Sequence, residues 1–192
     1  MPQVIDSFDD APEMPHEEHQ STEYPFRGKM LTVRVDKVRL PSGKEADREL
    51  VEHPGSAVII PVTTDGRVIF VRQFRYAIGE YLLELPAGLV DEGETPEETA
   101  IRELKEEVAH VPGGIRALST VYMSPGYTEE KTTIFLAENC MPVNAEDDPD
   151  EPIQMMYVPL TDIPRLIVAG DDRVGDAQTL LGLLWLCRLG LA

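Results

Sequence analysis

Basic residues are scarce in this chain. Lys and Arg total 17 against 35 Asp and Glu, a formal net charge of −18 over 192 residues. A surface this acidic is a poor match for nucleic-acid phosphates or anionic membranes. Any anionic ligand must find a local Arg or a bound cation. Cysteine is also scarce, with only Cys140 and Cys187. Two thiols outside any CxxC pair make neither a disulfide framework nor a structural zinc site, and a reducing cytoplasm is the expected location. No apolar run reaches the roughly 18 residues of a membrane span, and the acidic, Pro-rich start does not read as a signal peptide. Aromatic residues are 6%, with a single Trp. What the chain does have is 42% apolar residues, enough for the core of one domain with a small appendage.

Residues 1–22 read as a disordered acidic tail. Residues 23–54 read as a small N-terminal β-sheet region and 55–192 as the main domain. Residues 30–40 alternate apolar and polar side chains, the period of a half-buried strand, and 45–53 is the returning strand. Two or three such strands are marginal alone, so they must pack on the main domain or on a second chain. Residues 56–62 and 67–75 form a hairpin around the turn 63–66, and 81–88 is another apolar segment. Thr95, Pro96 and Glu98 mark a helix start with a capping box. That helix is predicted to run to about His110, or on to Pro112-Gly113, with Ala100, Ile101, Leu104, Val108 and Val111 in one apolar stripe. Strands are expected at 115–123 and 131–138 and over 153–160, and a C-terminal helix at 176–189. The mixture predicts an α/β (α+β) fold: a mixed sheet between helices.

The predicted helix carries Glu103, Glu106 and Glu107 within about a 100° arc. Three like charges so close suit either a solvated face or a hard divalent cation, which takes carboxylate oxygens. The flanks favour the cation. Gly88 is followed after five residues by Glu94, and after seven more by Arg102-Glu103-Leu104-Lys105-Glu106-Glu107. This pattern resembles the Nudix box of the Nudix hydrolase family. Its late Gly and the aliphatic residue after it are Ala109 and His110 here. Further segments are similar to the ADP-ribose pyrophosphatase branch over about residues 27–188: residues 49–55, Gln73-Phe74-Arg75, Glu84-Leu85-Pro86-Ala87-Gly88, Ser124-Pro125-Gly126, Val168-Ala169-Gly170, and Asp176 with Thr179.

The resemblance implies a Nudix fold with a small N-terminal antiparallel sheet. It implies Mg2+-dependent hydrolysis (Mn2+ an alternative) of the diphosphate of ADP-ribose or a related ADP-sugar, giving AMP and a sugar phosphate. Glu103, Glu106 and Glu107 with the backbone carbonyl of Ala87 would hold the metal. Gly88 and Glu94 would be structural, Glu94 pairing with Arg102, and Arg102 and Glu106 would serve catalysis. The general base would come from the loop 144–152, where Glu151 leads and Glu146, Asp148 and Asp150 are rivals. Arg75 would hold phosphate or ribose, or else form a surface ion pair. Glu84 would hydrogen-bond sugar, or else be a structural carboxylate. Met123 and Gly126 would line the ribose side, although Met123 equally suits the core. Trp185 reads as core, so the adenine would fall to Tyr24 and Phe26, with Arg27 or Arg48. The branch also implies a homodimer through the N-terminal sheet. The alternatives are a diphosphatase of another nucleotide sugar, such as GDP-mannose, and a non-catalytic ligand-sensing Nudix domain.

Overall fold

The computed structural model describes residues 13–144, 153–168 and 174–192. These fall into two compact units, one ending at His53 and including Gly126–Thr128, the other beginning at Pro54.

The N-terminal unit is a three-stranded antiparallel sheet in the order β1-β2-β3: β1 (Glu18–Arg27), β2 (Thr32–Arg39) and β3 (Glu45–Glu52). The turn at 40–44 closes the β2–β3 hairpin, with Gly43 at φ 82°. Val51 N–H donates to the Tyr127 carbonyl at 2.8 Å, which ties Gly126–Thr128 into this unit. Strand β1 corrects the sequence reading, because it begins at Glu18, inside the stretch read as tail. Its polar residues carry no alternation to reveal a strand. They are held by partners on β2 instead: Thr22 Oγ1 donates to Asp36 Oδ1 at 2.6 Å, and Asp36 also pairs with Arg34.

The second unit is built on a mixed sheet in the order β11-β5-β4-β10-β8. Its strands are β4 (Ser56–Thr63), β5 (Arg67–Arg75), β6 (Glu80–Glu84), β7 (Ala87–Leu89), β8 (His110–Val111), β9 (Gly114–Tyr122), β10 (Lys131–Pro142) and β11 (Gln154–Pro159). β10 runs parallel to β4, and β6, β7 and β9 pair antiparallel with β5, β4 and β10. Helix α1 (Pro96–Val108) lies on one face, and α2 (Ile163–Val168) and α3 (Ala177–Arg188) on the other.

Strand β4 shows why the sheet is sandwiched. It is apolar at successive positions rather than alternate ones, as expected for a strand covered on both sides. Ala57 and Ile59 pack with Ala100, Leu104 and Val108 of α1. Val58 and Ile60 point the other way, to Leu183 and Leu186 of α3 and Ile163 of α2. All of these side chains are fully buried. Trp185 is half-buried against this second cluster, and its indole N–H donates to Ser119 Oγ at 3.0 Å. Cys140 is buried, Cys187 is partly exposed, and both are free thiols. No helix among the described residues is long and apolar enough to cross a membrane.

The C-terminus of α1 also differs from expectation. The helix stops at Val108, where Ala109 turns into the left-handed region at φ 50°. It does not continue to Pro112-Gly113. The fold captures the next two residues as β8, paired with Met141 and Pro142. The buried His110 ring donates from Nδ1 back to the Val108 carbonyl, which satisfies a helix-end acceptor. Val111 therefore belongs to a strand, and Ile101 is exposed, so the apolar stripe is narrower than predicted.

Candidate active site

The site is assembled where α1 crosses β7. The capping box starts the helix: Glu98 N–H donates to Thr95 Oγ1, and Thr95 N–H donates to Glu98 Oε2. Starting there in phase, α1 turns Glu103 and Glu107 towards the β7 strand. Ala87 N–H donates to Glu107 Oε2 at 3.0 Å. Gly88, paired with Ala57 of β4, lies against the Glu103 carboxylate. The Glu103 side chain is 12% exposed and that of Glu106 is 58% exposed, so Glu103 is packed while Glu106 faces solvent.

Arg102 locks the loop before α1 onto the helix. Its Nε and Nη2 donate to Glu94 at 3.0 and 3.1 Å, and Nη2 also reaches the Leu89 carbonyl at 3.2 Å. Nη1 donates to Glu103 at 2.7 Å and to Glu106 at 3.0 Å. Glu94 also accepts from Thr99 Oγ1 at 2.8 Å. The Arg102 hydrogen bonds, aided by Thr99, pull the Glu94 carboxyl down to about pKa 2. The same bonds raise the Arg102 pKa further above its ordinary value. The Glu94–Arg102 pair that the resemblance implies is present.

Arg75 of β5 reaches along the ladder to Glu84 of β6, although the register pairs these residues with Glu80 and Val71. Arg75 Nε donates to both Glu84 oxygens, at 3.1 and 2.9 Å, and Nη2 pairs with Oε2 at 2.8 Å. Glu84 is buried while Arg75 is half exposed. Burial raises the Glu84 pKa, and the Arg75 charge opposes that shift. The neighbouring Leu85 N–H donates to Thr179 Oγ1, and Thr179 N–H donates to Asp176 Oδ1 at the start of α3. The sequence segments around Glu84 and Asp176 thus meet in space.

The other expected residues have surroundings of their own. Met123 is half-buried after β9 and its N–H donates to the Glu130 carbonyl. Gly126 belongs to the N-terminal unit. Arg27 stacks on Tyr24, 3.8 Å from the ring centroid, and Arg48 donates to Glu17. Glu151 and its rivals Glu146, Asp148 and Asp150 lie outside the described residues. Thr99 and Leu89 are partners of the site that motif reading passed over; a Thr one turn from a helix start gives no signal of its own.

The donor chemistry fits a hard divalent cation: three carboxylates on one helix, and a glycine whose missing side chain makes room for one of them. Among the described residues, no three His, Cys, Asp or Glu side chains already converge as a ligating group.

Comparison with known proteins shows the family. A NUDIX domain model matches residues 52–178, and a nucleoside diphosphate sugar hydrolase N-terminal domain model matches residues 18–51. The chain belongs to the Nudix family, as a hydrolase of that family. It is 37% identical over 163 residues to an ADP-ribose pyrophosphatase of Bacillus subtilis, covering 84% of this chain and 87% of that one. It is 30% identical over 167 residues to a methanol dehydrogenase activator of Bacillus methanolicus, covering 86% and 89%. The crystal structure of an ADP compounds hydrolase superposes with a TM-score of 0.82 at 26% identity, covering 95% of this chain and all of the other.

Proposed function

We propose that this chain hydrolyses the diphosphate bond of ADP-ribose or a related ADP-sugar, releasing AMP and a sugar phosphate, with Mg2+ as its metal and Mn2+ as a substitute. The observation that carries this reading is the packing of the α1 carboxylates on β7, Glu107 on the Ala87 amide and Glu103 on Gly88, with Arg102 donating to Glu103 and Glu106. The similarity to an ADP-ribose pyrophosphatase over most of both chains supports the substrate class.

Glu103, Glu106, Glu107 and the Ala87 carbonyl would hold the metal. When bound, it would supply charge neutralisation for the diphosphate and a lowered pKa for water. Arg75 binds the diphosphate or the terminal ribose. The Glu84 carboxylate accepts from Nε and Nη2 of Arg75 and fixes the fork, which leaves the Arg75 Nη1 for a substrate oxygen. Glu151 takes the proton of the attacking water. Phosphoryl chemistry asks mainly for positioning and charge stabilisation, and the rigid sheet supplies the first. Adenine would fall to the exposed aromatics of the N-terminal sheet, Tyr24 and Phe26, with Arg27 or Arg48 nearby. Met123 and Gly126 line the ribose.

The same sheet pairs two copies of the chain. All ten residues of β1 are exposed, and it is an edge strand, with Phe26, Met30 and Leu31 exposed on or beside it. Light scattering of the purified chain should give twice the 21.4 kDa chain mass. The two free thiols support a cytoplasmic location.

Turnover is tested by following phosphate released from AMP and ribose 5-phosphate by added phosphatase. ADP-ribose, GDP-mannose and a nucleoside triphosphate are compared with and without Mg2+. Metal-dependent cleavage of ADP-ribose above the others supports the proposal. Preference for GDP-mannose would move the substrate to another nucleotide sugar. No turnover of any would favour a ligand-sensing domain.

A further inference from the structure

The Arg102 guanidinium divides its N–H groups between two sets of acceptors. The loop set is Glu94 and the Leu89 carbonyl, with Asp91 at 3.7 Å. The helix set is Glu103 at 2.7 Å and Glu106 at 3.0 Å, both through Nη1. The helix set comprises two of the carboxylates read above as metal ligands, and the inference rests on that reading. An oxygen that accepts a charged N–H at 2.7 Å has a lone pair committed to it. A cation approaching the same two carboxylates also meets the guanidinium charge within a few ångströms. Both effects oppose metal binding. They are limited by Glu94, which holds the fork on the loop side with two hydrogen bonds.

We propose that Arg102 is an internal rival of the divalent cation for Glu103 and Glu106, and that Glu94 governs this rivalry by anchoring the guanidinium. Arg102 is then a positioning residue that sets metal affinity as well as the shape of the loop. An arginine that only pre-orients Glu103 for the metal predicts the opposite sign, because its removal would loosen the ligands and weaken binding.

The test measures metal binding to the full chain, not turnover. Mn2+ is followed by the loss of its free-ion electron paramagnetic resonance signal, and Mg2+ by titration calorimetry. Folding of each variant is checked by circular dichroism. Arg102→Gln should bind Mn2+ about tenfold more tightly, since a unit charge a few ångströms away is removed. Glu94→Gln should bind it several-fold more weakly, because Arg102 then falls wholly to the helix set. The double variant should match Arg102→Gln alone. Weaker or unchanged binding by Arg102→Gln overturns the proposal, as does a Glu94→Gln effect that persists in the double variant. If Arg102→Gln does not fold, Glu94→Gln alone decides: unchanged or tighter binding overturns the proposal. If neither the unaltered chain nor any variant binds Mn2+ or Mg2+, the metal-site reading itself fails, and this proposal with it.

Discussion

Gly88 and Glu103 are so close that a β-carbon built on Gly88 would stand 1.7 Å from the Glu103 carboxylate oxygen. The glycine cannot retreat, because it is paired with Ala57 of β4 in the sheet. The Nudix-box glycine is therefore required here by the carboxylate it faces, not by a positive φ. Gly88→Ala should push the Glu103 side chain out of its place while leaving the fold intact. Displacing a catalytic group by an ångström costs on the order of 100-fold. Steady-state kinetics beside a thermal melt checks this: kcat should fall about 100-fold with a native-like transition. Near-normal turnover would remove Glu103 from the machinery.

The Glu94–Arg102 pair predicts an acid dependence with a definite sign. Glu94 titrates near 2 when folded, against an ordinary value of 4.5. Its pKa is lowered on folding, so its contribution is fully present above about pH 4.5 and fades as pH falls towards 2. The melting temperatures of the native chain and Glu94→Gln should differ by a constant amount from pH 8 to pH 5. That gap should close between pH 4.5 and 2. A gap that is unchanged at pH 2.5 would show that the pair does not act through the Glu94 charge.

Ala109 holds a left-handed conformation at φ 50°, where a Cβ is crowded by the neighbouring backbone. Ala109→Gly should remove that strain at the α1 C-terminus. After the extra chain entropy of glycine, stability should rise by about 0.5–1 kcal/mol, or roughly 2 °C in melting temperature for a chain of this size. Calorimetry checks this. A lower melting temperature would mean that the Ala109 methyl group makes a stabilising contact worth more than the strain.

The two thiols should separate chemically. Burial pushes the Cys140 thiol up to about 11, while Cys187 is partly exposed on α3. At pH 8 a thiolate-selective reagent should modify Cys187 while Cys140 stays unmodified until the protein is denatured. Peptide mass mapping distinguishes them. Rapid labelling of Cys140 in the native protein would contradict its buried place in the sheet.

The residues that were legible in the sequence are those whose chemistry fixes their spacing. Thr95, Pro96 and Glu98 announced the start of α1, and the resemblance of the Gly88-to-Glu107 pattern to the Nudix box implied the Glu94–Arg102 ion pair. The apolar strands β4, β5 and β10 were equally plain. The parts that escaped depend on partners distant in sequence. The polar β1 is a strand only because β2 offers it a ladder and an Asp36 acceptor for Thr22. The two residues after Ala109 look helical, yet β10 captures them as β8. The meeting of Glu84 with the α3 N-terminus follows from one backbone-to-Thr179 hydrogen bond, which no local pattern encodes.

Glu107 is the carboxylate held by the Ala87 amide, so it tests the site most directly. The measurement is Mg2+-dependent turnover of ADP-ribose by the unaltered chain and by Glu107→Gln, which keeps shape and hydrogen bonding but loses the charge. The account predicts rapid, metal-dependent release of AMP by the former. For the latter it predicts a loss of at least about 100-fold with an unchanged melting curve, since a carboxylate ligand of the metal that neutralises the diphosphate is removed. Equal turnover by both proteins would contradict the assignment of the α1 carboxylates as the catalytic metal site.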